Sequence, residues 1–251
     1  DQEEEREHLI FDAEIFKDMV KQTSFAASVD ESKGVLVGVL TEIHPQSVSM
    51  VALDGYRLAV STEKMNSGQE NHFIISAKII NEISKIIAED GDAEEVEIHL
   101  GKKKATFRID TTEIVLRLME GEYIKYRDIM PTQSTTDIVI GRAILQESIE
   151  RASLLAREGK NNLIKMTIKN NLLTITSRSE EGNVKEEIIM EKEGEDLEIG
   201  FNSKFVIDVL KVIDDDEIAM HFLTGTSPCM VKPVSGDAYE YLILPVRIPT
   251  M

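Results

Sequence analysis

The sequence predicts an α+β protein made of two tandem copies of one domain, each with two helices packed on antiparallel sheets. Two observations predict this fold class. Amphipathic helix patterns occur twice along the chain at nearly the same spacing, and runs of alternating β-rich sequence lie between them. Most of the runs are joined by short connections, which favours antiparallel pairing of the strands.

The clearer helix pair begins at Ser76 and again at Asn202, which lies 126 residues further along the chain. SAKIINEISKIIAED and NSKFVIDVLKVIDDD carry apolar residues spaced i, i+1, i+4 and i+8, as on one face of a helix. Ser76 and Asn202 are favourable N-cap residues, so we expect a helix to begin at each. The matched apolar positions are Ile79 with Phe205, Ile80 with Val206, Ile83 with Val209, and Ile87 with Ile213.

A second helix pair lies upstream, where FDAEIFKDMVKQTSFAAS from Phe11 is similar to IGRAILQESIERASLLAR from Ile140, at an offset of 129 residues. A third similarity joins the strand-like segments VEIHL and IAMHF, and it places His99 and His221 at equivalent positions. This equivalence favours a structural role for both histidines. The upstream apolar matches are Ile15 with Ile144, Phe16 with Leu145, Val20 with Ile149, and Phe25 with Leu154.

The β-rich runs complete each copy, with six to eight strands expected per copy. In the first copy they are VLVGVLTEIH, SVSMVALDGYRLAVSTE, EEVEIHL, KATFRID and EIVLRLM. In the second they are LIKMTIKN, LLTITSRS, VKEEIIME, EIAMHFL, PCMVKPV and EYLILPVRI. The pattern is interrupted at MPTQSTTD, so we predict domains 1–131 and 132–251, with residues 1–8 as an acidic leader.

Composition limits the class of protein. The chain has 251 residues, of which 42% are hydrophobic, and no apolar run approaches the ~20 residues of a membrane span. The formal net charge of −18 argues against a protein that grips nucleic acid by bulk electrostatics, although a localised basic strip is compatible with it. One cysteine, Cys229, and no secretory signal predict a buried thiol and a cytoplasmic protein.

We find no sequence motif of an enzyme. The chain contains no GxGxxG after a strand, no GxxxxGK[ST], no HExxH and no GxSxG. Its five histidines are scattered and show no metal-ligand spacing. The prediction is therefore a protein without a catalytic site, cofactor or metal, although an enzyme whose site the sequence does not reveal remains an open hypothesis.

Six ordered motifs resemble one known family. LVGVL, ALDGYRLAV, EGEYIKYRDIMP, EIGFNSKFVIDVL, SPCMVKP and YLILPVRI follow one another as in the bacterial sliding clamp, the beta subunit of DNA polymerase III. The resemblance extends from about Leu9 to Ile248 and implies that each copy is a DNA-clamp domain, equivalent to the family's middle and C-terminal domains. The family's subunit has three such domains, and the first copy is not found here. The resemblance therefore implies either a truncated form or a natural short form.

The family implies the function. Two subunits form a head-to-tail homodimeric ring around duplex DNA, and the ring tethers the polymerase as a processivity factor. Short peptides of the replicative polymerase, the clamp loader and repair polymerases bind the family's clamp. Without the first domain the usual ring is not expected to close. The alternative hypothesis is a peptide-binding adaptor of the same fold that never encircles DNA.

The resemblance also implies a peptide-binding cleft between the two domains. Ile124 replaces a proline that is frequent in the family, and Asp128 replaces a residue that is basic in some members. Arg57 is expected to be a surface arginine in a turn. Periodicity alone favours an ordinary core for Leu36, Leu53, Leu58, Ile129, Leu242 and Leu244, and the motif match reverses this for the set, though not for each member. The cleft residues implied by the motifs are Leu36, Leu53, Gly55, Tyr56, Arg57, Leu58, Ile124, Tyr126, Ile129, Thr226, Pro228, Leu242, Ile243, Leu244, Pro245, Val246 and Arg247.

A DNA-facing surface is expected on the polar faces of the four predicted helices. Acidic residues are interspersed there, so an ordinary solvated helix face explains each single lysine as well. The expected DNA-facing residues are Lys17, Lys21, Lys78, Lys85, Arg151, Lys204 and Lys211, with Lys33 in a loop.

Overall fold

The computed structural model describes residues 7–89, 91, 93–157 and 162–249. The chain divides into two compact units. Unit 1 comprises residues 1–55 and 59–124, and unit 2 comprises residues 56–58 and 125–251. The domain boundary at residue 131 stays a prediction of the sequence.

In its described residues, unit 1 has two α-helices, α1 (Ala13–Thr23) and α2 (Ala77–Glu89), which pack against each other. One of its sheets has the strand order β1-β6-β7-β8, and strands β2 to β5 are neighbours in the order β4-β3-β2-β5. The first two residues of β4 belong to unit 2. The strands are β1 (Glu7–Asp12), β2 (Gly38–His44), β3 (Ser47–Leu53), β4 (Arg57–Lys64), β5 (Asn71–Ser76), β6 (Glu95–Leu100), β7 (Lys104–Ile109) and β8 (Thr112–Arg117).

Unit 2 repeats this plan with helices α3 (Arg142–Ala156) and α4 (Ser203–Leu210), which also pack against each other. Its strands form sheets of order β12-β11-β10-β14 and β13-β9-β15-β16-β17. The strands are β9 (Thr136–Gly141), β10 (Leu163–Lys169), β11 (Leu172–Arg178), β12 (Asn183–Ile189), β13 (Glu191–Gly194), β14 (Leu197–Asn202), β15 (Glu217–Phe222), β16 (Cys229–Pro233) and β17 (Tyr239–Ile243). The predicted α+β class, with two α-helices on antiparallel sheets in the described part of each copy, is confirmed. Unit 1 has eight described strands, within the predicted range, whereas unit 2 has nine, one more than predicted.

The predicted helix faces are largely the buried ones. In unit 1, Phe16, Ile80 and Ile83 are almost fully buried, and in unit 2 Leu145, Ile149, Val206 and Val209 are. Three residues predicted on apolar faces, Ile79, Ile144 and Leu154, are instead exposed. An apolar residue at the margin of a helix stripe can face solvent because the buried stripe of an amphipathic helix is only about 100° wide.

Each described α-helix begins directly after a strand, without an intervening loop. The strands β1, β5, β9 and β14 end one residue before α1, α2, α3 and α4 respectively. The Asn202 side chain accepts a hydrogen bond from the Lys204 N–H at 3.0 Å, which confirms the predicted cap of α4. Asp12 caps α1 in the same way through the N–H of Ile15, so this helix begins at Ala13 rather than at Phe11.

The predicted acidic leader is partly wrong. Glu7 and His8 belong to β1, where they pair with Leu100 and His99 of β6. Residues 1–6 lie outside the described residues. The described helices include none with the length and apolar character that a membrane crossing requires.

Candidate peptide-binding surface

Five residues of unit 2 form a compact group that we call the Tyr56 cluster: Tyr56, Arg57, Phe205, Asp208 and Leu244. The Tyr56 ring, 60% exposed, stacks on the Phe205 ring with centroids 5.4 Å apart and an interplanar angle of 18°. The Arg57 guanidinium carbon lies 5.0 Å from the Phe205 centroid. Arg57 Nη1 also donates a hydrogen bond of 2.6 Å to Asp208 Oδ2. The cluster therefore joins an exposed aromatic ring to a charged pair beneath it.

Local structure explains this placement. Asn202 caps α4, so both Phe205 and Asp208 lie within the helix. Because they are three residues apart, their side chains lie on one side of it. The exposed stretch that contains Gly55 and Tyr56 precedes β4, and the Leu244 N–H donates to the Tyr56 carbonyl at 2.9 Å. The end of β17 and the start of β4 are therefore held together by a backbone hydrogen bond. Leu244 is partly exposed beside this bond.

Arg57 is not the surface arginine in a turn that we expected. It is the first residue of β4 and only 8% exposed, and its guanidinium contacts Asp208 and Phe205. Cation–π contact and a charge-assisted hydrogen bond together give it a packing role. Arg57 therefore has packing contacts of its own with Phe205 and Asp208, and its assignment to the peptide cleft stays a prediction.

The remaining candidate residues of the C-terminal segment become more exposed along the chain. Leu242 and Ile243 lie in β17, are buried, and pair with Met230 and Cys229 of β16, so they belong to the core. Pro245 and Val246, after the strand, are half-buried, and Arg247 is exposed. The Val246 N–H donates to the Gly200 carbonyl at 2.9 Å, which anchors this segment on β14.

The segment Tyr126–Ile129 is a short 3-10 helix. Tyr126 is buried under the Arg127 guanidinium, whose carbon lies 5.1 Å from the ring centroid, and Arg127 also donates to Glu240 at 2.6 Å. Ile129, in contrast, is 49% exposed and presents an apolar side chain to solvent. Thr226 is exposed and Pro228 half-buried in the loop before β16.

Four candidates lie in unit 1. Leu53 ends β3 and is buried, whereas Leu36 is half-buried in the 3-10 segment Glu31–Val37. Gly55 is exposed and has a φ of +92°, a conformation that glycine adopts without strain. Ile124 is exposed. The structure thus brings the Tyr56 cluster together in unit 2, and the assignment of all seventeen residues to one cleft stays a prediction.

Two residues of the Tyr56 cluster, Phe205 and Asp208, are not among the predicted cleft residues. Phe205 was identified only as an apolar helix position, and Asp208 only as a polar one. One signal was available for Phe205: the equivalent residue of the first copy is Ile79, so the second copy alone has an aromatic ring at this partly exposed position. Aromatic side chains are favoured in binding surfaces because they offer a large contact area at low entropic cost.

The cations predicted to face DNA are not all equally available. Lys78 and Lys85 of α2 pair with Glu31 and Glu82, and in each case the hydrogen bond to the glutamate, aided by its charge, raises the lysine pKa. Lys17 pairs with Glu14 at 2.6 Å. Because exposed ion pairs of this kind contribute little to stability, a phosphate group is able to compete for these lysines.

Arg151 of α3, another predicted DNA-facing residue, forms a bidentate pair with Glu186. Its Nε and Nη2 donate to the two carboxylate oxygens of Glu186 at 2.8 and 2.9 Å. The hydrogen bond from Arg151 lowers the Glu186 pKa, and the same bond raises the Arg151 pKa. Lys21, Lys33, Lys204 and Lys211 are exposed; Lys33 lies in the 3-10 segment Glu31–Val37 and Lys211 directly follows α4.

Cys229 is buried in β16, as predicted. Burial raises the pKa of its thiol, so the thiol stays protonated and is a poor nucleophile at neutral pH.

The Tyr56 cluster offers contact with aromatic and apolar groups around a charged pair.

Two successive units of two helices on antiparallel sheets define a tandem clamp-type protein. Family profiles for the DNA polymerase III beta subunit match the chain, with the central domain over residues 11–125 and the C-terminal domain over residues 127–247. The chain belongs to the DNA polymerase III beta subunit family.

Known proteins of this family are similar over nearly the whole chain. The beta sliding clamps of Staphylococcus epidermidis and Staphylococcus aureus are 37% and 35% identical over 236 residues. These residues are 93% of this chain and 62% of each relative, so the chain spans less than two thirds of their length. The solved beta subunit of Thermotoga maritima has a TM-score of 0.93 and 32% identity, over 99% of this chain and 68% of that one. The solved Bacillus subtilis sliding clamp has the same TM-score and identity, over 99% and 66%.

Proposed function

We propose that this chain acts as part of a sliding clamp, a non-catalytic subunit that tethers DNA polymerase III to duplex DNA in the cytoplasm. The proposed partners are duplex DNA, the replicative polymerase, the clamp loader and repair polymerases, and the complete ring is a head-to-tail homodimer. Family membership supports this proposal. The observation that carries peptide recruitment is the stack of exposed Tyr56 on Phe205 above the Arg57–Asp208 pair.

The Tyr56 cluster suits a short peptide with aromatic and leucine anchors. Tyr56 and Leu244 are exposed, so an apolar partner side chain placed on them loses water on both sides of the contact. Their backbones are joined by the Leu244–Tyr56 hydrogen bond, so the platform is preorganised and loses little freedom when a peptide binds. Arg57 contacts the Phe205 ring and is paired with Asp208, so no unpaired charge is buried.

A fluorescein-labelled QLxLF peptide is expected to bind this chain with a Kd in the micromolar range, equivalent to about 8 kcal/mol. Tyr56→Ala and Leu244→Ala should each weaken binding by about tenfold, because each removes one exposed contact of the cluster. Fluorescence anisotropy measures the affinity. Leu154→Ala is the matched control, since Leu154 is an exposed leucine of unit 2 on α3 and should be neutral. Unchanged binding in both cluster variants, with their circular dichroism intact, would refute the cluster as the peptide site.

DNA contact by this chain should be weak and strongly dependent on salt. The quadruple variant of Lys21, Lys33, Lys204 and Lys211 to glutamine should reduce duplex affinity at low salt and flatten the slope of log K against log salt, because fewer counterions are released. Its charge-matched control changes Lys103, Lys104, Lys169 and Lys185, which lie in or beside strands and are exposed. Equal losses in both variants would mean that bulk charge, rather than the predicted helix faces, meets DNA.

The alternative is an adaptor of the same fold that binds peptides but does not encircle DNA. The net charge of −18 and the pairing of Lys17, Lys78, Lys85 and Arg151 with carboxylates favour it. The two candidates agree on the peptide experiment and differ on the DNA experiment. A lysine-dependent, salt-dependent affinity for duplex DNA would support the clamp, and its absence would support the adaptor.

A further inference from the structure

Two histidines and a glutamate meet on the solvent side of one sheet in unit 1. His8 of β1 lies directly opposite His99 of β6, and their rings stack with centroids 4.5 Å apart and an interplanar angle of 13°. Glu97 is two residues before His99, so both side chains point to the same face of β6. Glu97 Oε2 lies 3.6 Å from His8 Nε2 and 3.5 Å from His99 Nε2.

We propose that His8, Glu97 and His99 form a site for a divalent transition-metal ion, with Zn²⁺ as the ion to test. One ligand atom from each residue lies within 4.8 Å of the other two. Tetrahedral zinc with bonds of 2.0–2.1 Å holds its ligand atoms about 3.3 Å apart, close to the distances from Glu97 Oε2 to the two imidazole nitrogens. The two stacked rings must tilt toward the ion for both nitrogen lone pairs to reach it. Two imidazoles and one carboxylate leave a fourth position for water, and they favour Zn²⁺ or Co²⁺ over the oxygen-preferring Mg²⁺ and Ca²⁺.

The environment of the His99 Nε2 atom supports a metal ion at this site. Its Nε2 atom is buried and has no hydrogen-bond partner among the described residues, although the Glu97 carboxylate is close by. A buried polar nitrogen without a partner costs stability, and most such atoms in proteins are satisfied. A metal ion between His99 and Glu97 would use the lone pair of this nitrogen. The His99 side chain is 21% exposed, whereas His8 and Glu97 are 44% and 41% exposed, so an ion has access from solvent.

The second copy of the domain provides an internal comparison. His221 is equivalent to His99, and Asp137 of β9 lies opposite it, where unit 1 has His8. Asp137 Oδ1 lies 2.6 Å from His221 Nδ1, so a carboxylate satisfies this histidine directly. The equivalent of Glu97 is Ala219. Unit 2 therefore has one imidazole and one carboxylate where unit 1 has three metal-ligand side chains, and unit 1 alone is expected to bind the ion.

A bound ion would join β1 to β6 on the open face of their sheet. The three ligands come from residue 8 and from residues 97 and 99, so the ion closes a long loop of chain. Since the strand pairing that builds the site is lost on unfolding, ion binding should stabilise unit 1 by linkage. The proposed role is structural reinforcement, and it does not depend on the peptide or DNA proposals.

The test titrates the full chain with Co²⁺ and then displaces the cobalt with Zn²⁺, in a large excess of Mg²⁺ that occupies acidic surface groups. We expect one equivalent of Co²⁺ with the visible absorbance of a tetrahedral site, and its displacement by one equivalent of Zn²⁺. His8→Gln and His99→Gln should each weaken Zn²⁺ binding by at least about 100-fold, the upper end of the loss caused by removing even an outer-shell partner. His221→Gln is the matched control and should leave the affinity unchanged.

A thermal melt gives a second readout. Zn²⁺ should raise the unfolding temperature of the unmodified chain and of His221→Gln, but not that of His8→Gln. If His99→Gln fails to fold, His8→Gln decides, because His8 is exposed and its loss leaves the core intact. The proposal is overturned if no stoichiometric ion binds, or if folded His8→Gln binds Zn²⁺ as tightly as the unmodified chain.

Discussion

Replacing Arg57 with alanine is expected to weaken peptide binding by more than tenfold and to lower the free energy of unfolding by about 1–3 kcal/mol. The two effects have one cause. The Arg57 guanidinium hydrogen-bonds Asp208 and lies over the Phe205 ring, on which Tyr56 stacks. Removing it leaves Asp208 without this partner and Phe205 without its cation–π contact, so the exposed Tyr56 loses part of what holds its position.

Partial burial sets the size of the effect. Arg57 is nearly inaccessible, whereas the Asp208 side chain is 28% exposed and regains some water when its partner is removed. The cost should therefore stay below the 3–5 kcal/mol that follows from stranding a fully buried charge. Urea unfolding followed by far-ultraviolet circular dichroism measures the stability, and anisotropy with the labelled peptide measures the affinity.

Two further variants separate charge from geometry. Arg57→Lys keeps the positive charge but lacks the planar guanidinium, so it should recover stability only in part and peptide affinity less. A double-mutant cycle with Asp208→Ala isolates the pair, since two contacting residues should show non-additive losses. If Arg57→Ala changes neither stability nor affinity, the cluster does not position Tyr56 as described.

The sequence predicted the helices of this fold well and five of its strands poorly. Buried residues such as Ile80, Ile83, Val206 and Val209 recur with helical spacing, and that spacing is visible without knowledge of tertiary contacts. Strands β1, β5, β9 and β14 were absent from the predicted runs, because each passes into a helix without a turn residue between them. Strand β13 was absent too, because its four residues EKEG are mostly exposed and have no alternating apolar pattern. Where one periodicity changes into another without a break, a window of sequence contains both and indicates neither clearly.

The sequence predicted which residues lie at the candidate site, but it did not predict which of them are exposed to solvent. Motif resemblance led to Tyr56 and Leu244, which are exposed, and equally to Leu53, Leu58 and Leu242, which are buried. A sequence does not distinguish these groups, since both are apolar and both occur in or beside strands. Exposure depends on which neighbours pack over each side chain.

The sequence also did not predict which residues lie opposite each other on paired strands. His8 and His99 are ninety-one positions apart in the sequence and become opposite residues only through the register of β1 with β6. The histidines therefore look scattered along the chain. The repeat contains the missing signal, since it equates His99 with His221 and places His8 and Asp137 at the same position of the upstream pair. Pairing between strands, rather than spacing along the chain, creates the proposed metal site.

Gly194→Ala is expected to destabilise the protein by at least about 3 kcal/mol, because backbone strain and steric overlap act together. Gly194 ends β13 with a φ of +90°, and a Cβ atom there would lie 2.0 Å from the Thr135 carbonyl oxygen. The oxygen is not free to move away. It accepts a hydrogen bond of 3.0 Å from the Glu195 N–H, and the Thr135 N–H donates to Phe222 at 2.8 Å. Relief of the overlap therefore requires breaking contacts at the start of β9.

Gly236→Ala is the matched control, since Gly236 has a similar φ of +81° but nothing within 4 Å of the added atom. It carries the backbone strain without the overlap, so a loss of only about 1–2 kcal/mol is expected. The difference between the two variants in urea unfolding measures the overlap alone. Equal losses would show that the chain around Thr135 shifts at little cost, and that the edge pairing of β13 with β9 is not held as rigidly as its hydrogen bonds indicate.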